Sequence, residues 1–171
     1  MACVVHSAAG HRAAQASLVA CGVIALALGV FVYLADRPAG SAALLPWAGI
    51  HSAVPLLGSV GGWLPSFTHV FAFALLTAAT ARAVSAPPYW ACLLWWTIDV
   101  AFEVAQSPGW KGPVIDAARR WLGDGWLPSL FIRYFEHGTF DPGDLVAVTA
   151  GALAAAALLA RRWCPGDRHD R

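Results

Sequence analysis

The chain has 171 residues, of which 58% are hydrophobic and 12% are Asp, Glu, Lys or Arg, against about 25% charged residues in an average soluble domain. So little charge excludes an ordinary soluble globule, which keeps most of its residues in touch with water, and a formal net charge of +1 excludes a basic nucleic-acid binder. What remains is an all-α, polytopic membrane helical bundle of about four transmembrane helices, a single domain over residues 1–171 whose solvent is largely lipid.

The first predicted span, Ala16–Ala35, contains no charge; His11 and Arg12 precede it and Asp36-Arg37-Pro38 stops it. Ala25-x-Ala27 has the form of a cleavage site, but it sits inside an apolar run of about 18 residues, longer than the 7–15 of a signal peptide, so the segment reads as an anchor. Ser41–Trp63 has no Asp, Glu, Lys or Arg and is broken by Pro46, Gly49, Pro55, Gly58, Gly61 and Gly62. It reads as an interfacial or re-entrant stretch, with a fifth crossing as the alternative. The second span is Ser66–Ser85, with His69 in its outer part and Arg82 near its end. The third is Pro88–Gln106. An amphipathic outer loop, residues 107–142, follows, carrying Lys111, Asp116, Arg119, Arg120, Asp124, Arg133 and Glu136. Within it Val114–Leu122 reads as a short surface helix, with Trp110, Trp121 and Trp126 at headgroup level. The fourth span, Gly143–Trp163, ends in Arg161-Arg162.

Four crossings put both termini on one side. Arg12, Arg82, Arg161 and Arg162 lie at span ends there, which makes that side the cytoplasm and the chain a multi-pass membrane protein. Cys3, Cys21, Cys92 and Cys164 are far apart in sequence and show no metal-ligand spacing. Ala147, Gly151 and Ala155, and Ala25 with Gly29, form small-residue stripes that allow helices to approach closely.

A charged residue at the centre of a span costs about 2.5–3.5 kcal/mol on the insertion scale, yet the third span holds Asp99 and Glu103. They share one helical face with Gln106, and like charges at that spacing repel, so one carboxyl is protonated or a cation lies nearby. Asp141-Pro142-Gly143-Asp144 reads as a helix start, with Asp at the N-cap, Pro next and a second acid at the third helical position. Capping by itself accounts for both aspartates. Nevertheless His69, Glu103, Gln106 and Asp144, from three spans, converge near the outer end of the bundle, and such a gathering marks a site. Glu103, Asp144 and His69 are the candidate catalytic residues; Gln106, Asp99 and Asp141 are the candidate binding residues. No metal and no cofactor is expected, and no phosphate loop, nucleophile elbow, zincin motif or dinucleotide fingerprint occurs.

Thr68-His69-Val70-Phe71-Ala72-Phe73, then Glu103-Val104-Ala105-Gln106, then Thr139-Phe140-Asp141-x-x-Asp144 and Gly151 together resemble the pattern of the VanZ-like membrane proteins across the second to fourth spans. Where that family has an arginine three residues before the first aspartate the chain has Gly138, and where it has an asparagine four after the second the chain has Val148. Arg133 and His137 are the nearest residues to stand in for the arginine. The resemblance implies a bacterial cell-envelope role of the glycopeptide-resistance type, with a membrane lipid or a lipid-linked or amphiphilic envelope molecule as partner. Two other functions compete with it: a proton, ion or small-solute transport component using Asp99 and Glu103, and a non-catalytic assembly subunit whose polar groups only hold helices together.

Overall fold

A computed structural model describes residues 8–36, 57–81 and 87–162. Six helices occupy them: α1 (Ala8–Asp36), α2 (Ser59–Ala81), α3 (Tyr89–Ala105), α4 (Lys111–Trp121), α5 (Trp126–His137) and α6 (Pro142–Arg162). No strand occurs among the described residues. Within these helices three segments are long and apolar enough to cross a membrane: Arg12–Asp36, Val60–Ala81 and Pro142–Arg161.

Helix α2 is the centre of the bundle, with α1 on one side and α3 and α6 on the other. The α1 seam repeats every seven residues. Gln15 Nε2 donates to the Ala79 carbonyl, Gly22 lies against Leu76 and the Ala72 carbonyl, Gly29 against Thr68 and Pro65, and Asp36 against Gly61. Leu18 and Val32, between those positions, are buried. This is the spacing of antiparallel helices packed at a shallow angle. On the far side Gly151 of α6 meets the backbone of Phe67, and Ala147 and Ala155, a turn either way, are buried. Both small-residue stripes therefore face α2. The core between α2, α3 and α6 is made mostly of alanine, with Leu75, Cys92 and Leu159 filling between backbones that lie close together. Outward faces carry exposed Val23, Ile24, Phe31, Leu93, Val146 and Leu153, an apolar coat suited to lipid.

Two expected helix starts shift: α1 begins at Ala8, not Ala16. Helix α2 starts at Ser59, not Ser66, so the end of the stretch read as re-entrant is helix. Its start is built by Gly58, whose φ of 55° is the left-handed conformation glycine adopts without strain, and by Asp36 Oδ1, which accepts the Leu57 N–H at 2.9 Å. Pro65 sits inside the helix, and Thr68 Oγ1 donates to the carbonyls of Leu64 and Pro65 just ahead of it. Because Asp36 and Leu57 meet, α1 ends and α2 begins on the same side of the bundle; the stretch between them, for which a re-entrant segment or a fifth crossing was expected, lies outside the described residues. Residues 37–56, Arg82, Ser85, Trp163, Cys3 and Cys164 lie outside the described residues.

The expected count of four spans is not met by length and composition: α3 has 17 residues and includes two carboxylates, against about 20 apolar residues in a typical crossing. The connection between α3 and α6 holds two helices where one was expected. Helix α4 covers most of Val114–Leu122, and α5 follows it after a turn with Gly123 at φ 67°. Lys111 Nζ donates to the carbonyls of Glu136 and Gly138 at 2.9 Å, and Arg119 Nη2 to Glu136 Oε1 at 2.9 Å. These contacts close α4 and α5 into a hairpin.

Candidate functional site at the start of α6

The start of α6 is where α2, α3 and the hairpin meet. Asp141 Oδ1 accepts the Gly143 N–H at 2.8 Å, the N-cap bond expected of an aspartate before Pro142. The Asp141 N–H would be the remaining orphan donor, and Glu103 Oε1 of α3 accepts it at 2.8 Å. In a capping box that acceptor comes from the third residue of the same helix; here it comes from a neighbouring one. The third-position acid, Asp144, receives the hydroxyl of Ser66 on α2 at 2.8 Å. One helix start is thus held by carboxylates that bind to both neighbours.

About one turn deeper along α3, His69 Nδ1 lies 2.8 Å from Asp99 Oδ2. With the carboxylate ionised the ring nitrogen donates, which fixes the tautomer and leaves Nε2 as the basic nitrogen. Among the described residues nothing hydrogen-bonds Nε2. The His69 side chain is 44% exposed and that of Asp99 13%. Phe73 and Trp95 stack at 4.5 Å between ring centroids, and His69 packs on Phe73 at 4.6 Å. Trp95 Nε1 is itself satisfied by Thr77 Oγ1. The imidazole is therefore held by a carboxylate on one side and an aromatic wall on the other.

The hairpin closes the third side. Phe102 of α3 packs against Phe131, Tyr134 and Phe135 of α5, and Gln106 Nε2 donates to the Tyr134 hydroxyl at 3.0 Å. Gln106 and Glu103 are only 7% and 8% exposed. Burial first, then the neighbouring Glu103 carboxylate, pushes the Tyr134 phenol above its ordinary value. Position 138 must be glycine, because a Cβ there would run into Gln106 Oε1 and the Tyr134 carbonyl. Neither Arg133 nor His137 stands in for a cation at this point. Both are exposed on α5, and His137 Nδ1 bonds back to the Arg133 carbonyl. The cation at Gly138 is Lys111.

All six sequence-predicted residues lie around this end of the bundle, in two groups. His69 and Asp99 form one; Glu103, Asp141 and Asp144, with Gln106 above, form the other. The direct partner of His69 is Asp99 rather than Glu103, so the two acids of α3 have separate partners, an imidazole and a backbone N–H, that offset their mutual repulsion. Ser66, Tyr134, Lys111 and Gly138 were not singled out from the sequence as members. Among the described residues no group of three or more histidine, cysteine or carboxylate side chains is placed to hold a metal ion. Below the site, a shallow apolar groove runs along α6, lined by Leu145, Val146, Thr149, Ala150 and Leu153; Thr149 receives Trp96 Nε1 of α3. No family model, curated protein or solved structure matches the chain.

Proposed function

We propose that the protein is a multi-pass protein of the bacterial cytoplasmic membrane, VanZ-like in kind, that binds or modifies a lipid-linked or amphiphilic envelope molecule at the outer leaflet. In this reading α3 is the fourth crossing. Its caps Pro88 and Gln106 both have right-handed helical angles, and 19 helical residues reach about 28 Å, close to the ~30 Å hydrocarbon core. Its carboxylates then lie toward the outer side, where the His69 and backbone partners offset their cost, and both termini face the cytoplasm.

The observation that carries the proposal is the His69–Asp99 pair, to whose Nε2 nothing hydrogen-bonds among the described residues, at the same end of the bundle as a polar helix start that leads into an apolar groove along α6. An amphiphile fits that combination: a polar head among Gln106, Asp141 and Asp144, and a chain along Leu145, Val146 and Leu153. His69 supplies the proton acceptor, oriented by Asp99, for water-activated hydrolysis or transfer; Glu103 and Asp144 keep negative charge at the helix start. In a host made teicoplanin-resistant by the wild-type chain, Glu103→Gln and Asp144→Asn, which keep acceptors for the Asp141 N–H and the Ser66 hydroxyl, lower the resistance at unchanged protein level. Unchanged resistance at normal protein level removes the site.

A second reading, proton or ion transfer, is favoured by the depth of Asp99 within the bundle. It requires the reconstituted protein to carry a liposome flux that Asp99→Asn abolishes, whereas the first reading requires none.

A further inference from the structure

The hairpin tip carries an apolar surface that neither the site nor the bundle uses. Trp121 is 80% exposed and Trp126 72%; Leu122 and Leu127, on either side of the turn, are exposed as well. The base of the hairpin is fixed by Phe102, Gln106 and Lys111 as described above, but at the tip no aromatic contact or side-chain hydrogen bond joins Trp121 or Trp126 to another element among the described residues.

We infer that this tip, residues 121–127, docks in the interfacial layer of the leaflet at which α6 begins, and so holds α5 over the site as a membrane-anchored roof. Three observations select lipid as the occupant. First, α5 ends at His137 and the membrane-length α6 starts at Pro142, so the hairpin is tethered within a few residues of the bilayer surface. Second, α4 and α5 have 11 and 12 residues, about 16–18 Å at the helical rise, so the tip cannot travel far from that plane. Third, the tip combines two tryptophans with Arg119 and Arg120 in the last turn of α4, the amphipathic ring-and-cation chemistry of a headgroup layer. The inference rests on the membrane reading of α6 and is independent of any catalytic role.

Spin labels read it directly. Single cysteines replace Trp121, Trp126, Asp116 and Leu153 in a full-length chain whose native cysteines are alanine, reconstituted in phosphatidylcholine–phosphatidylglycerol vesicles. Labels at 121 and 126 are expected to collide several-fold more with oxygen than with a water-soluble nickel chelate, and the label at 116 the reverse. Leu153, exposed in the middle of α6, calibrates the hydrocarbon. Chelate access at 121 and 126 equal to that at 116, with 153 protected, overturns the docking alone; chelate access at 153 overturns the membrane reading with it. Spin–spin broadening at 121 assigns the surface to a second copy and also overturns the proposal. As a check that leaves the cysteines native, Trp121→Phe/Trp126→Phe loses the share of tryptophan emission quenched by lipid brominated near the headgroup; an unchanged share contradicts docking.

Discussion

Glu103 stands out in the sequence, but the donor it binds does not. An acid on the inner face of an apolar helix costs several kcal/mol unless paired, which singles it out from sequence. It accepts a backbone N–H 38 residues away, and a backbone donor leaves no mark in composition. Glutamine at 103 keeps an acceptor for the Asp141 N–H, whereas alanine leaves a donor orphaned, at a cost of about 1–3 kcal/mol. Thermal unfolding in detergent should therefore place Glu103→Gln near wild type and Glu103→Ala well below it. Tyr134 was invisible for a different reason: only its neighbours, Glu103 and Gln106, give it a role. Burial and the Glu103 charge raise its folded-state value above the ordinary 10.0, so the neutral phenol is the form the fold accepts. Its contribution to stability is complete below pH ~10 and is lost as pH rises through the raised folded-state value. An absorbance titration at 295 nm should show a late-ionising tyrosine component that is absent in Tyr134→Phe.

At the scale of elements, the apolar runs were legible, and so were the ends of two of them. Helix α3 was read as Pro88–Gln106 and α6 as Gly143–Trp163, within a residue or two of Tyr89–Ala105 and Pro142–Arg162. The missed first turns of α2 contain Gly61, Gly62 and Pro65, residues that argue against helix locally; the contact of Gly61 with Asp36 overrides them. Helix α5 did have a signal, since Leu127, Leu130, Phe131, Tyr134 and Phe135 follow a helical stripe, but the charges and tryptophans around it favoured a loop. The stripe on α6 makes the sharpest element-scale prediction. Gly151 has no room for a Cβ against the Phe67 backbone, which cannot swing aside as a side chain does. Gly151→Leu must push α6 away from α2 and should destabilise the bundle by about 1–3 kcal/mol or more. Ala150→Leu, on the adjacent exposed position, should leave the melting temperature in detergent close to wild type.

For the whole molecule, the shortage of charge resolves into an arrangement. One end of the bundle gathers the end of α1, the starts of α2 and α6, the end of α3 and the hairpin, and among the described residues the buried and half-buried acids of the bundle are at that end. The other end is closed by alanine and leucine packing. Such polarity follows from burying few charges in a thin apolar bundle: each must find a partner, and partners are densest where helix ends leave donors unpaired. The His69–Asp99 pair is the exception, because no helix end requires it, and a functional role is the account's explanation for its presence. The most direct test is His69→Asn. Asparagine keeps a side-chain N–H able to reach Asp99 but has no basic ring nitrogen. The variant should accumulate to wild-type level with an unchanged melting temperature in detergent; under the proposed function the wild-type chain confers teicoplanin resistance and the variant leaves it at that of the empty host. Full resistance at normal protein level would contradict the assignment of His69 as the working group of the site.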